Sequence, residues 1–232
     1  MGYRGRSSEV EGEVVKVGLP DPYYEDGSVV IYHGDCRDIL PYLPKVDLVL
    51  TDPPDGIGAA RGKNKSRGNL ALATDYGIAS WDDSPISQEL IDVILGKSKY
   101  QVIFGGNYYT LPPTSCWLVW DKENGENDFA DCELAWTNFQ KATRLKRHLW
   151  HGMLRKGKEK RFHPTQKPLG VISWALSLCP EVPKTILDPF MGSGTTLRAA
   201  KDLGRKAIGI EVDEKYCEIA AKRMGQEVFD FG

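Results

Sequence analysis

The chain has 232 residues, of which 41% are hydrophobic and 27% are charged, and its formal net charge at pH 7 is −2. This size and composition fit one large globular α/β domain. Five scattered cysteines without a Cys-x-x-Cys pair, no signal sequence and no run of about 18 apolar residues exclude a disulfide framework and a transmembrane helix. We therefore expect a soluble intracellular protein with reduced thiols.

The small net charge hides a strongly basic segment at residues 141–163, which holds nine Lys or Arg and a single acid, Glu159. The remainder of the chain is therefore acidic. A basic segment on an acidic protein attracts phosphates, and the release of counterions favours binding to a polyanion. The alternative is a solvated basic loop. The cations for which we predict phosphate contacts in this segment are Arg144, Lys146, Arg147, Arg155 and Lys156.

The chain starts with a polar arm, residues 1–27, in which residues 13–17 have a short strand pattern. The apolar run 28–32 predicts the first strand of the main domain. A Gly-Asp turn ending at Asp35 then leads into a short amphipathic segment, residues 36–43. The carboxylate of Asp35 stands where it would cap that segment or contact a ligand, and one residue can do both.

The next strand predicted, residues 46–50, runs directly into the loop Thr51-Asp52-Pro53-Pro54-Asp55. The carboxyl ends of parallel strands are where ligands bind in open α/β sheets. Two consecutive prolines restrict the backbone, so that Asp52 is held on a stiff turn. A fixed carboxylate beside carbonyl acceptors suits a ligand that brings N–H groups, such as the amino group of a planar base. The alternative is a proline-rich turn capped by Asp.

A long glycine-bearing loop, residues 56–80, follows and carries cations without a compensating acid. A loop of this length inside a compact domain is functional or disordered. If functional, it would close over a ligand and grip backbone phosphates. The cations concerned are Arg61, Lys63, Lys65 and Arg67.

Helical spacing of apolar residues predicts a helix over residues 86–97. Short apolar runs predict strands over residues 100–104, 115–120 and 132–136. The first two of these end near the loop that contains Asp52, and we expect them to run parallel to the strand before it.

The sequence His-Pro-Thr-Gln-Lys-Pro at residues 163–168 begins a helix that we predict to continue through residue 178. A helix N-terminus offers free N–H groups to an anion, and Lys167 can add a positive charge. The alternative is an N-cap at Thr165 with proline in the first turn.

An apolar strand at residues 185–187 then runs into Asp188-Pro189-Phe190, followed by Gly192, Gly194 and a helix from Thr195. The two glycines let a ligand approach the backbone closely. The next strand delivers Glu211, and an acid about 20 residues beyond a glycine loop bonds ribose hydroxyls in dinucleotide-binding folds. A final helix covers residues 213–224.

Together, the Asp-Pro-Pro loop and the later Asp-Pro-Phe-x-Gly-x-Gly loop resemble the motifs of amino-directed DNA methyltransferases, and their order resembles that of the β group. The resemblance implies an α/β, Rossmann-like S-adenosylmethionine-dependent methyltransferase fold, with a mostly parallel seven-stranded sheet and helices on both faces. It also implies one domain over residues 28–232, with a small target-recognition insertion within about residues 121–163.

In function, the resemblance implies site-specific transfer of a methyl group from S-adenosylmethionine to the exocyclic amine of adenine in double-stranded DNA, leaving S-adenosylhomocysteine. Methylation of cytosine N4 and a catalytically inactive DNA-binding relative are the alternatives. We expect no metal, a cytoplasmic, nucleoid-associated protein of prokaryotic or phage type, and either a monomer or a homodimer. The catalytic residues implied are Asp52, Pro53, Pro54 and Asp55. The cofactor-binding residues implied are Asp35, Cys36, Thr165, Lys167, Asp188, Pro189, Phe190, Gly192, Gly194, Thr195 and Glu211.

One position departs from the family pattern, because Asp55 stands where the catalytic loop of the family has an aromatic residue. A carboxylate cannot stack on an extruded base, and it brings a second negative charge close to Asp52. Three explanations are open. Another ring, such as Tyr76 or Trp81, takes over the stacking; Asp55 is an inactivating change; or the substrate differs from an ordinary base in duplex DNA.

We predict that Asp55→Tyr raises the rate of methyl transfer, because a tyrosine ring at this position can stack on the base, a contact worth ~1–3 kcal/mol. Transfer of tritiated methyl groups to DNA measures the rate. Equal rates for the native chain and the variant would contradict the prediction.

Overall fold

The computed structural model describes residues 18–54, 56, 85–125, 130–151, 154–155, 162 and 166–226. The short strand pattern at residues 13–17, the loop cations before residue 85 and the rings of Tyr76 and Trp81 lie outside these residues. The strands are β1 Tyr24–Glu25, β2 Val29–His33, β3 Val46–Thr51, β4 Ser98–Phe104, β5 Trp117–Asp121, β6 Cys132–Thr137, β7 Arg144–Arg147, β8 Trp150–His151, β9 Leu154–Arg155, β10 Thr185–Asp188 and β11 Lys206–Glu211. The helices are α1 Cys36–Ile39, α2 Gln88–Leu95, α3 Leu169–Ser177, α4 Thr195–Asp202 and α5 Glu214–Met224.

Nine of these strands form one sheet in the order β1-β2-β11-β10-β3-β4-β6-β5-β7, and β8 and β9 form a separate hairpin. Five neighbouring strands in this order are parallel to one another, namely β2, β11, β10, β3 and β4. Strand β6 is antiparallel to both β4 and β5, so β5 runs in the same direction as β4. The mostly parallel Rossmann-like sheet is confirmed.

The predicted count of seven strands is wrong by two, because each edge of the sheet carries one additional short strand. Strand β1, within the predicted arm, has only two residues and pairs antiparallel with β2. Strand β7 pairs parallel with β5, but its sequence, Arg-Leu-Lys-Arg, lacks the apolar run by which the other strands were predicted. Residues 144–147, which lie within the range predicted to contain the insertion, thus form an edge strand of the sheet.

Helices cover both faces of the sheet, as predicted. Strand β3 shows the division, because Leu48 and Leu50 face one cluster and Val49 the other. The first cluster contains buried side chains of α3, α4 and α5. The second contains those of α1 and α2. Among the described residues, no helix is both long and apolar enough to cross a membrane.

Two helices are shorter than predicted. Helix α2 begins at Gln88, because the side chain of Ser87 accepts a hydrogen bond from the N–H of Leu90 and caps the helix there. Helix α3 begins at Leu169, several residues later than the sequence pattern indicated. Pro168 disfavours helical geometry for the residue before it, which keeps Lys167 in the segment that leads into the helix.

The strand order of the sheet has a switch point between β3 and β10, which are neighbours but are followed by strands on opposite sides. Strand β3 is followed by its neighbour β4 on one side, whereas β10 is followed by β11 on the other. Such a switch point opens a crevice at the carboxyl ends of the two strands, and it is the general ligand site of open α/β sheets. The Asp-Pro-Pro loop follows β3 and the glycine loop follows β10, so both begin at this crevice.

Gly106, in the turn that follows β4, is closely packed against Trp136. A Cβ added there would lie 2.4 Å from Trp136 Cβ and 3.2 Å from its backbone nitrogen, so the backbone must shift. We predict that Gly106→Ala lowers the free energy of unfolding by about 1–3 kcal/mol. Gly27→Ala is the matched control, because a Cβ added at Gly27 would have no heavy atom within 4 Å beyond the two neighbouring residues of the chain. Urea unfolding measures both, and equal stabilities would contradict the prediction.

Candidate functional site

The Asp-Pro-Pro loop is attached to its neighbours by two hydroxyl groups. The Tyr109 hydroxyl, from the segment after β4, lies 2.5 Å from the carbonyl oxygen of Pro54 and 3.3 Å from that of Pro53. Thr51, the last residue of β3, donates a hydrogen bond of 2.8 Å to a carboxylate oxygen of Asp188 at the end of β10. The loop after β3 is therefore linked directly to the strand that leads into the glycine loop.

The glycine loop turns sharply out of β10. Asp188 is buried and accepts a hydrogen bond from the N–H of Phe190. Burial raises the pKa of Asp188 to about 6, although the hydroxyls of Thr51 and Thr196 oppose the shift. Gly194 has φ +77°, and a Cβ there would lie 2.9 Å from Ala220 Cβ, so both the backbone conformation and the space require glycine. Gly192 also has positive φ, at +50°.

Two more carboxylates lie at the neighbouring strand ends. Glu211, at the end of β11, accepts hydrogen bonds from the N–H groups of Gly192, at 2.9 Å, and Asp213, at 2.8 Å. Burial raises the pKa of Glu211 to about 7 against the effect of those N–H groups. Asp35, just beyond the end of β2, caps α1 by accepting from the N–H of Arg37 and also binds the Arg37 guanidinium. Its capping role is thus visible directly.

The predicted cofactor residue Lys167 contacts the catalytic loop. Its ammonium lies 2.5 Å from Asp52 Oδ2 and 3.1 Å from Glu133 Oε2. The other oxygen of Glu133 lies 2.6 Å from the ammonium of Lys122. The pKa of Lys167 is raised, because its two carboxylate neighbours outweigh the effect of burial. Asp52, Lys167, Glu133 and Lys122, here called the charge chain, thus alternate in sign.

Sequence reasoning missed Glu133 and Lys122 as site residues. Strand β6 runs antiparallel to β4 and β5, which places its first residues at the edge where those strands end. Glu133 is the second residue of β6 and lies opposite Trp120, two residues before Lys122. A charged residue inside the apolar strand pattern was the available signal, but the direction of the strand was needed to interpret it.

A buried arginine that was also missed braces the glycine loop. Arg223 Nη1 donates a 2.6 Å hydrogen bond to the carbonyl of Ser193, and its guanidinium lies 5.2 Å from the ring centroid of Phe162. Gln166 Oε1 lies 3.3 Å from the Ser193 hydroxyl and accepts a hydrogen bond from the N–H of Phe162. The loop is therefore held from α5 and from the segment before α3.

Several predicted site residues have simple placements. Cys36 is the buried first residue of α1, and burial raises the pKa of its thiol to about 12. Pro189 is buried directly after β10, Phe190 packs partly against the second core cluster, and Thr195 begins α4. Asp55, Thr165, Lys156 and the loop cations Arg61, Lys63, Lys65 and Arg67 lie outside the described residues, as does the side chain of Arg155.

The three described cations predicted to contact DNA lie together on the edge strand β7. Arg144 and Arg147 are exposed, and Lys146 is half-buried. Arg147 lies opposite Asp121 in β5 and makes a 3.2 Å ion pair with it. Because β7 is parallel to β5, its final residues approach the sheet edge that carries the carboxylates described above.

The chemistry at this sheet edge is that of hydrogen-bond acceptors. Carboxylates at the ends of β2, β10 and β11 suit a ligand with hydroxyl, amino and cationic groups, and the glycine turns admit such a ligand close to the backbone. Asp52 lies beside them, on a separate loop. Among the described residues, no three His, Cys, Asp or Glu side chains are grouped in a way that could hold a metal ion.

Comparison with known sequences gives a consistent set of relatives. The sequence model of the DNA methylase family for N6 and N4 enzymes matches residues 110–222. The type II methyltransferase M2.DpnII of Streptococcus pneumoniae is 43% identical, over 90% of this chain and 94% of its own length. The type II methyltransferase M.ScaI of Streptomyces caespitosus is 28% identical, over 97% of this chain and 90% of its own length.

Two solved structures share the fold. The crystal structure of the M1.HpyAVI–SAM complex superimposes with a TM-score of 0.54 at 26% identity, covering 84% of this chain and 99% of the other. The PvuII DNA methyltransferase, a cytosine-N4-specific enzyme, gives a TM-score of 0.57 at 16% identity and covers 90% of each chain.

The charge chain predicts an acid-sensitive contribution to stability. Burial opposes ionisation of Glu133, but Lys167 and Lys122 outweigh it and hold the pKa of that carboxyl at about 2. Because this value is below that of an unfolded glutamate, the contribution is present above about pH 4.5 and is lost as the pH falls towards 2. Allowing for solvent screening, we predict that Glu133→Gln lowers the free energy of unfolding by about 1–2 kcal/mol at pH 7 and by about half of that or less at pH 3.

Glu181→Gln is the control, because Glu181 pairs with Lys99 at 2.5 Å but both side chains are more than half exposed. We expect this change to alter stability by no more than about 0.5 kcal/mol at either pH. Urea unfolding at the two pH values provides the measurement. The prediction is wrong if the two variants lose equal stability, or if the loss in Glu133→Gln does not depend on pH.

Proposed function

This chain belongs to the amino-directed DNA methyltransferases, which act on the N6 amine of adenine or the N4 amine of cytosine, and from that premise we propose that it methylates adenine N6. The single observation that carries the choice of adenine is Asp52 as the first residue of the catalytic loop, since the cytosine enzymes more often have serine there. The ion pair with Lys167 supports a role for Asp52 as a charged acceptor.

The cofactor of this family is S-adenosylmethionine, with which M1.HpyAVI has been crystallised. The residues of the crevice fit this ligand. Gly192 and Gly194 would admit it close to the backbone, and Glu211 would accept hydrogen bonds from the ribose hydroxyls. Asp35, on the neighbouring strand end, would lie near the adenine group. The acidic lining also suits the positive charge of a sulfonium.

When bound, S-adenosylmethionine supplies a methyl group whose carbon–sulfur bond breaks as the amine nitrogen of the target base bonds to the methyl carbon. The amine is a poor nucleophile because its lone pair is delocalised into the ring. In the proposed mechanism Asp52 and the carbonyl of Pro53 accept the two amine hydrogens, which favours a pyramidal nitrogen whose lone pair is available for attack. Positioning and preorganised electrostatics therefore account for the rate. The nitrogen then releases one proton to solvent.

The target base must leave the helical stack to reach such a crevice, as other base-modifying enzymes require. Arg144 and Arg147 would hold the DNA by its phosphates, because they are exposed on β7 at the edge of the sheet, and the half-buried Lys146 lies between them. Contacts of this kind position the duplex without reading its sequence. Asp55 remains the one departure from the family pattern in the catalytic loop.

Analysis of nucleosides by mass spectrometry tests the proposed substrate directly. Unmethylated DNA of mixed sequence, incubated with the chain and S-adenosylmethionine and then digested, should contain N6-methyladenine. Detection of N4-methylcytosine in its place would overturn the choice of base. Absence of both products at high enzyme concentration would favour an inactive relative.

We predict that Asp52→Ala lowers kcat by about 100-fold or more, because it removes the charged acceptor of the amine. Affinity for S-adenosylmethionine should stay within about twofold, since Asp35, Gly192, Gly194 and Glu211, which we place around the cofactor, lie at or just beyond the ends of other strands. Asp92→Ala is the control, because Asp92 is exposed on α2 and should leave kcat unchanged. Calorimetric titration with the cofactor and labelled-methyl transfer measure the two quantities. Retention of full kcat in Asp52→Ala would contradict the mechanism.

A further inference from the structure

The charge chain joins the catalytic loop to a part of the sheet that neither family motif includes. Its members come from four separate places: the loop after β3, the segment before α3, the start of β6 and the residue that follows β5. The three contacts along the chain measure 2.5, 3.1 and 2.6 Å. Asp52 is therefore connected, through two intermediate side chains, to an ammonium on the far side of Glu133.

Both lysines of the chain are restricted by aromatic rings. The side chain of Lys167 is only 11% exposed, and its ammonium lies 5.5 Å from the ring centroid of Phe104. The ammonium of Lys122 lies 5.2 Å from the ring centroid of Trp120, and its side chain is 19% exposed. Long side chains held in this way do not exchange their carboxylate partners for water readily. The position of Lys167 is thus determined by its two carboxylates together with the ring of Phe104.

The arrangement of the charges shows what Glu133 contributes. A buried ammonium with one carboxylate partner moves with that partner, whereas an ammonium between two carboxylates has a fixed position. Glu133 belongs to β6, which is paired on both sides in the sheet, and it is itself fixed by Lys122. Without Glu133, the two ammonium groups would face each other with no acid between them, and Lys167 would lose the anchor that keeps it beside Asp52.

We propose that Glu133 is a positioning residue for methyl transfer: through Lys167, it holds the Asp52 carboxylate in the single orientation that receives the amine of the target base. The inference rests on the proposed function of Asp52, and it adds a requirement that the motifs do not contain. Lys167 touches the proposed catalytic carboxylate directly, and Glu133 acts on it only through Lys167. Lys167, which the sequence predicts to be a cofactor residue, is assigned here to Asp52, so loss of Glu133 should affect turnover and leave cofactor binding unchanged.

A double-mutant cycle separates this role from a general structural role. The four proteins are the native chain, Glu133→Gln, Asp52→Asn and the double variant; Asn keeps the size of Asp52 but removes the charge that Lys167 contacts. We expect Glu133→Gln to lower kcat about tenfold in the native background and less than about twofold in the Asp52→Asn background. The Kd for S-adenosylmethionine should stay within about twofold throughout.

Glu133→Asp, which keeps the charge, should recover more than half of the lost kcat, and Glu181→Gln should leave kcat unchanged. The proposal is overturned if Glu133→Gln lowers kcat equally in both backgrounds, if it weakens cofactor binding without lowering kcat, or if it has no effect.

The same four proteins distinguish a failure of this inference from a failure of the proposed function. If the native chain produces no methylated base, the proposed function fails. The interaction between Glu133 and Asp52 is then measured from the urea concentrations at the unfolding midpoints of the four proteins. The connection through Lys167 is supported if Glu133→Gln shifts the urea midpoint at least twice as far in the native background as in the Asp52→Asn background. An equal shift in both backgrounds overturns it.

Discussion

The parallel pairing of β3 with β10 is the constraint on which the rest of the site depends. These strands are far apart in sequence, yet Leu48 lies opposite Ile186 and Val49 opposite Leu187. Because the register aligns their carboxyl ends, the Asp-Pro-Pro loop and the glycine loop emerge side by side, and Thr51 bonds directly to Asp188. The loop proposed to present the acceptor base and the loop proposed to hold the donor thereby border one crevice.

The electrostatics of the two sides of the crevice differ. On the side of the glycine loop, burial raises the pKa of Asp188 to about 6 and that of Glu211 to about 7. A carboxyl whose pKa is raised by folding lowers the stability of the protein when it ionises. The folded protein should therefore gain stability from these two groups as the pH falls from above 7 towards the pKa values that they have in the unfolded chain. Hydroxyl and amino groups of a ligand would offset that cost. On the other side, Asp52 already has a cation beside it, and that cation has a second acid as its anchor.

The sequence predicted those parts of the site whose residues are adjacent along the chain. Asp52, Asp188, Gly192 and Glu211 each lie at or just beyond the end of a strand, within a short motif, so that local pattern and strand order were enough to place them there. Glu133 could not be placed in this way, because its position at the site depends on the antiparallel direction of β6. Tyr109, Arg223 and the partners of Lys167 likewise depend on packing between distant elements. The two edge strands were missed because one is very short and the other is basic.

A crystal structure of the chain with S-adenosylhomocysteine bound would test the central claim most directly, since it would locate both sides of the crevice relative to one ligand. We predict that the ribose hydroxyls contact Glu211 and that the sulfur lies between the glycine loop and Asp52, with Asp52 still paired to Lys167. A ligand bound away from the ends of β3 and β10, or a sulfur that faces away from Asp52, would contradict it.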